Sequence, residues 1–173
     1  MRLSGASIAA ALLLTGVCAY AQQPLPDRTP PPRWQRFTTA RFSVEMPGRP
    51  AKETQTLKAL NGRPVQYTSY MVDLGPVAYM ASTSDYDKET LLSLDSAVKG
   101  LLSTWPDPQN LVRRKTVLYG VPAQIVDFTS RGEHVVVRTF ALGQRLYQLS
   151  FAEVRGDFRP AHADRFMNSF RLR

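Results

Sequence analysis

Three runs between Ala123 and Glu153, separated by two-residue breaks, constrain the fold of this 173-residue chain more than any other feature. Ala123–Ser130, Glu133–Leu142 and Arg145–Glu153 are rich in the β-branched and aromatic residues that suit a pleated surface. Arg131-Gly132 and Gly143-Gln144 read as two-residue turns, and such turns fix the strand register. Thr129 then faces His134, Asp127 faces Val136, and Ile125 faces Arg138. On the next hairpin Phe140 faces Tyr147, Arg138 faces Leu149, Val136 faces Phe151, and His134 faces Glu153. One face therefore carries Ile125, Val136, Phe140, Tyr147, Leu149 and Phe151, while the other carries Val126, Phe128, Val135, Val137, Ala141, Leu146 and Ala152. An antiparallel sheet with one wet side alternates apolar and polar residues, and this one is apolar on both. Burying one large side chain stabilises by roughly 1.5–3 kcal/mol. Leaving half a dozen in water would forfeit on the order of 10 kcal/mol, comparable to the stability of a whole domain. Both faces need cover, from helices on both sides or from one helix layer plus long loops.

The rest of the chain supplies further strands and two amphipathic helices. Phe42–Met46 alternates apolar and polar residues and stops at Pro47-Gly48. Lys52–Leu57 leads into the turn pair Asn61-Gly62; Val65–Val72 follows, then Gly75-Pro76 and Val77–Thr83. Leu111–Leu118 is another strand. Between the two groups, Leu91, Leu94, Val98, Leu101 and Leu102 form one apolar stripe at helical spacing. Asp87 is the expected cap of that helix, and Trp105-Pro106-Asp107-Pro108 ends it. A closing helix over Pro160–Phe170 puts Ala163, Phe166, Met167 and Phe170 on one side.

The first twenty-one residues have the layout of a secretory signal. Arg2 gives a positive start, Ile8–Val17 is an apolar run, and Ala19-Tyr20-Ala21 offers small residues for cleavage between Ala21 and Gln22. The run is shorter than the roughly 20 apolar residues a spanning helix needs, so no transmembrane segment is expected after removal of the signal. Cys18, the only cysteine, lies inside this leader, and Val17 and Thr15 depart from the pattern that precedes a lipidated cysteine. Without Cys18 the chain has no disulfide, thiol nucleophile or thiolate metal site. Residues 22–33 hold five prolines and almost nothing apolar, which reads as a disordered tether. Residues 34–173 then form a single domain. The expected location is periplasmic or secreted.

Chemistry-bearing motifs are sparse. No nucleophile elbow, phosphate-cradling glycine loop or paired-histidine metal motif is present, and no catalytic, cofactor or metal-binding residue is assigned. His134 opposite Glu153, near Asp127, reads as cross-strand charge complementarity in preference to a metal site. Asp127 and Arg138 are charges on an otherwise apolar face, expected to pair as diagonal neighbours. A second reading makes them the polar floor of a small-molecule pocket rimmed by Phe140 and Tyr147. Arg113-Arg114-Lys115 is the densest basic cluster, either a charged edge strand that resists aggregation or a basic edge for an acidic partner. The formal charge of +8 would draw an exported protein to anionic surfaces, and export separates it from nucleic acid.

Several short stretches together resemble the small exported bacterial domains of the PsbP/Mog1-like fold. They are Trp34-Gln35-Arg36-Phe37, Phe42-Ser43-Val44-Glu45-Met46-Pro47-Gly48-Arg49-Pro50, Leu118-Tyr119-Gly120-Val121-Pro122-Ala123, Arg145-Leu146-Tyr147-Gln148-Leu149 and Asp164-Arg165-Phe166-Met167-Asn168-Ser169-Phe170. The resemblance implies an α+β fold in which helices cover both sides of an antiparallel sheet, an α/β/α sandwich. It also implies a binding or accessory role in place of catalysis, with an envelope protein or an anionic envelope component as partner. The alternative from the residues is a small-ligand binder or cryptic enzyme with its pocket near Asp127, Arg138, Phe140 and Tyr147.

Overall fold

Arg131 and Gly132 both adopt positive φ, 47° and 84°, as a two-residue turn matched to strand twist requires. That turn fixes the expected register: Thr129 pairs with His134, Asp127 with Val136 and Ile125 with Arg138. The following hairpin pairs Phe140 with Tyr147, Arg138 with Leu149, Val136 with Phe151 and His134 with Glu153, again as the turn demands. These pairings come from a computed structural model that describes residues 33–59, 62–154 and 160–173. The expected signal with its Ala21–Gln22 cleavage point, Cys18, the tether up to residue 32 and Asn61 lie outside the described residues.

Among the described residues, ten strands and two helices follow one another as β1 Gln35–Thr38, β2 Phe42–Met46, β3 Ala51–Lys58, β4 Pro64–Asp73, β5 Val77–Asp85, α1 Leu94–Ser103, β6 Gln109–Leu118, β7 Val121–Ser130, β8 Glu133–Leu142, β9 Arg145–Val154, α2 Pro160–Ser169 and β10 Arg171–Leu172. A seven-stranded antiparallel sheet runs in the order β3-β4-β5-β9-β8-β7-β6. It is two meanders, β3-β4-β5 and β6-β7-β8-β9, zipped together where β5 pairs with β9. A separate three-stranded sheet, β1-β2-β10, is closed by the last residues of the chain, with Leu172 opposite Phe42.

Both faces of the β7-β8-β9 ribbons are buried, but the expected α/β/α sandwich is not what buries them. The fold is β-rich, with two sheets and two helices of ten residues each. At 1.5 Å per residue each helix is about 15 Å long, too short to roof a seven-stranded sheet. One face, here the near face, is sealed chiefly by the second sheet with α2 beside it. Phe42, Val44 and Met46 of β2 and Ala163, Phe166 and Met167 of α2 pack there against Tyr79, Ala81, Phe140, Tyr147, Leu149 and Phe151. The second sheet escaped sequence reading because β1 has four residues and β10 only two, too few to show a period.

The opposite, far face carries α1 over its middle. Val98, Leu101 and Leu102 meet Val126, Phe128, Val135 and Val137, while Ala97 joins a smaller cluster with Leu146, Tyr86 and Val65. Between the clusters runs a polar row, Ser82 beside Gln148 beside Thr139 beside Gln124, and Gln124 Nε2 donates to Asp95 of α1 at 2.6 Å. The helix starts later than the leucine spacing suggests. Asp87 caps a local turn, accepting from Glu89 N at 3.1 Å and Thr90 Oγ1 at 2.7 Å. Ser93 is the true cap, accepting from Ser96 N at 3.3 Å. Leu91 is left outside the core, 92% exposed.

Candidate functional site

The near face buries only two of the four sequence-derived candidates, Phe140 and Tyr147. Phe140 and Tyr147 stack with ring centres 5.0 Å apart and planes 7° from parallel, and Phe170 closes on both edge-on. Both are buried. Arg138 and Asp127 do not pair: Arg138 Nη1 donates to Asn168 Oδ1 of α2 at 2.8 Å, and Asp127 Oδ1 lies 2.6 Å from His134 Nε2. Burial pushes the Arg138 guanidinium down, with Asp164 opposing that effect. The four residues thus divide between an aromatic core and two separate surface contacts. The described cavities lie elsewhere. His162 sits by Trp34, ring centres 6.0 Å apart.

Two other features stand out, one near each edge of the large sheet. On the near face the β3-β4-β5 strands turn polar. Strand pairing aligns Thr54, Thr68 and Thr83 in one row and Thr56, Gln66, Asp85 and Arg145 in the next. Lys52 and Tyr70 pair in the row on the other side. The β1–β2 turn stands over this floor as a wall, held by Thr39 N donating to Phe42 O at 2.8 Å and Arg41 N to Thr39 Oγ1 at 3.1 Å. Between wall and floor lies a groove of about 350 Å³, lined among others by Arg41, Lys52, Thr68, Tyr70, Thr83 and Asp85. That volume falls at the small end of the range for ligand pockets.

Asp85 organises the end of this groove. Its two carboxylate oxygens accept separately, one from Arg41 and one from Arg145. Burial alone would raise its pKa, but the two guanidinium hydrogen bonds outweigh that and hold the carboxyl below its usual range. At the other end Tyr70 is braced by Phe37 and Phe42, at ring distances of 4.9 and 5.8 Å. Lys52 forms no ion pair with a described residue.

The second feature is the edge strand β6. It ends the sheet, so one side of its backbone has no strand partner among the described residues. Seven consecutive residues, Gln109–Lys115, are exposed. Leu111, Val112, Val117 and the adjoining Tyr119 are large apolar side chains open to water, Val117 to 66%. Arg113, Arg114 and Lys115 make no ion pair with any described residue. A register irregularity between Gln109 and Val112 marks its start, with Asn110 at φ 53°. Tyr119, also at positive φ, is fixed by its hydroxyl donating to Phe170 O at 2.7 Å.

Sequence reading found β6 through its basic triplet but missed the groove. Arg41, Asp85 and Arg145 are far apart in the chain and no local spacing links them. The available signal was the polarity of Thr54, Thr68 and Thr83 on a face that is aromatic two strands away.

The chain matches no known family by sequence, and no curated protein matches it. Its fold is similar to the solution structure of cyanobacterial PsbP from Synechocystis sp. PCC 6803, with a TM-score of 0.55 over 92% of this chain and 99% of that one. Sequence identity is 10%. The chain therefore has a PsbP-like fold, and the likeness carries no activity with it. Among the described residues no helix is long and apolar enough to cross a membrane.

Proposed function

We propose that this chain is an exported, non-enzymatic binding domain of the cell envelope that holds an extended, acidic segment of a partner protein along β6. The carrying observation is the edge itself. Ten residues of strand with one open side offer main-chain donors and acceptors to an added strand. The exposed apolar side chains Val112 and Val117 offer contact area, and the unpaired Arg113, Arg114 and Lys115 set the charge of the occupant. Edge charges alone serve to keep sheets from aggregating. Exposed valines at the same edge work against that purpose, which favours docking. The leader supports an envelope location, and the net charge of +8 favours acidic partners over basic ones.

The test is recovery of the protein from envelope fractions, with cross-linking, beside the double variant Arg113→Glu/Lys115→Glu. The expected result is a protein N-terminus at Gln22 and a defined partner cross-linked to β6. That partner should be lost in the double variant and at about 0.5 M salt, where screening shortens to a few ångströms. An intact leader on the recovered protein, or an unchanged set of partners with the double variant, would overturn the reading. Salt-sensitive binding to anionic vesicles with no protein partner would also overturn it, in favour of an anionic envelope component.

A further inference from the structure

We infer that the groove on the near face of β3-β4-β5 binds a small polyhydroxylated ligand carrying an oxyanion, such as a sugar phosphate or a sugar acid. The floor supplies the first half of that chemistry. Thr54, Thr68 and Thr83 stand side by side on neighbouring strands, about 4.8 Å apart along the hydrogen-bonding direction. Thr54 Oγ1 and Thr68 Oγ1 are 3.4 Å apart and either can be the donor, so the row can donate to or accept from ligand hydroxyls as the ligand requires. Gln66 adds an amide to the next row, its Nε2 donating to Thr56 Oγ1 at 2.9 Å and its carbonyl oxygen serving as an acceptor.

Charge supplies the second half. Arg41 and Arg145 share the single carboxylate of Asp85, so that corner is cross-linked yet keeps a surplus positive charge, which adds to the pull on an anion. Lys52 is different: an ammonium at the groove with no ion-pair partner among the described residues. An anion that reaches Lys52 places the rest of the molecule over the threonine row and against Tyr70. The floor is mostly threonine, glutamine and charged side chains, with the Tyr70 ring at one end as a flat surface for the face of a sugar. A volume near 350 Å³ suits a single sugar unit and excludes a folded partner.

The test uses amide-shift titration and calorimetry on the protein as purified. The probes are glucose 6-phosphate, glucuronate, glucose and inorganic phosphate. At least one of the two sugar anions should shift the amides of Thr54, Thr68 and Thr83, more strongly than glucose or phosphate alone. Which of the two binds tighter distinguishes a phosphorylated from a carboxylated ligand. Lys52→Gln and Thr68→Val should each weaken binding about fivefold, the effect of one lost hydrogen bond. Lys99→Gln, on the exposed side of α1 over the far face, should leave it unchanged. Failure of both sugar anions to move those amides at about 20 mM, phosphate binding as well as the sugar anions, or indifference to Lys52→Gln would each overturn the proposal. Lys52 is exposed, so that variant tests the site even if Thr68→Val does not fold. Loss of this site would leave the β6 reading intact, because the two lie on different strands and are probed by different variants.

Discussion

Asp85 shows how a single carboxylate joins three distant parts of the chain. It ends β5, accepts from Arg41 in the β1–β2 turn, and accepts from Arg145 at the start of β9. Charge-assisted hydrogen bonds of this kind are worth roughly 1.5–3 kcal/mol each when buried. The side chains here are about one-third exposed, so solvent screening lowers the figure. Asp85→Asn is therefore expected to cost roughly 1–2 kcal/mol at neutral pH. The sign of the pH dependence follows from the shift. The folded carboxyl lies below its ordinary range, so its stabilisation is complete above the unfolded value of about 3.9 and fades as pH falls through the folded pKa. Thermal melts of wild type and Asp85→Asn should thus differ most near neutrality and converge in strong acid. A gap between the two that stayed constant down to the acid limit would show that the carboxylate charge is not what holds this corner.

At the level of elements, periodicity was informative where elements were long and silent where they were short. The β7, β8 and β9 registers were legible because two-residue turns leave one pairing, and α2 because Ala163, Phe166, Met167 and Phe170 recur on one side. Strands β1 and β10 were not, and with them went the second sheet and the correct fold class. The groove was illegible for a related reason: its walls come from a turn and three strands that only tertiary pairing brings together. The start of α1 failed more instructively. Leu91 has the right spacing for the apolar stripe, but Asp87 spends its carboxylate on Glu89 and Thr90, and the chain enters the helix only at Ser93. Two substitutions separate the spacing argument from the structure. Leu91→Ser should leave stability within about 0.5 kcal/mol of wild type, as for an exposed surface position. Leu101→Ala, at a site 1% exposed, should cost about 2–5 kcal/mol. Chemical denaturation of the pair checks both, and a destabilised Leu91→Ser would restore the longer helix.

Across the whole molecule, the question is whether two meanders make two folding units. The sheet suggests a seam, since β3-β4-β5 and β6-β7-β8-β9 are each continuous in sequence and meet only at β5 and β9. The near-face core contradicts that division. Val72, Tyr79 and Ala81 from the first meander share one cluster with Phe140, Tyr147, Leu149 and Phe151 from the second, and β2 and α2 cap both. Neither meander can keep that surface dry alone, so unfolding should be a single transition. The two tryptophans report the two faces separately. Trp34 packs edge-on to Tyr79 at 5.4 Å on the near face, with Arg165 over its ring at 4.7 Å. Trp105 packs edge-on to Phe128 at 5.5 Å on the far face, where α1 ends. Single-tryptophan variants, Trp34→Phe and Trp105→Phe, should therefore each show a fluorescence transition that coincides with its own circular-dichroism curve in urea. Each variant has its own stability, so the comparison is between two probes within one protein. If the Trp105 signal of Trp34→Phe changed well before its sheet signal, α1 would be a separately melting roof. The far face would then open without loss of the near-face core.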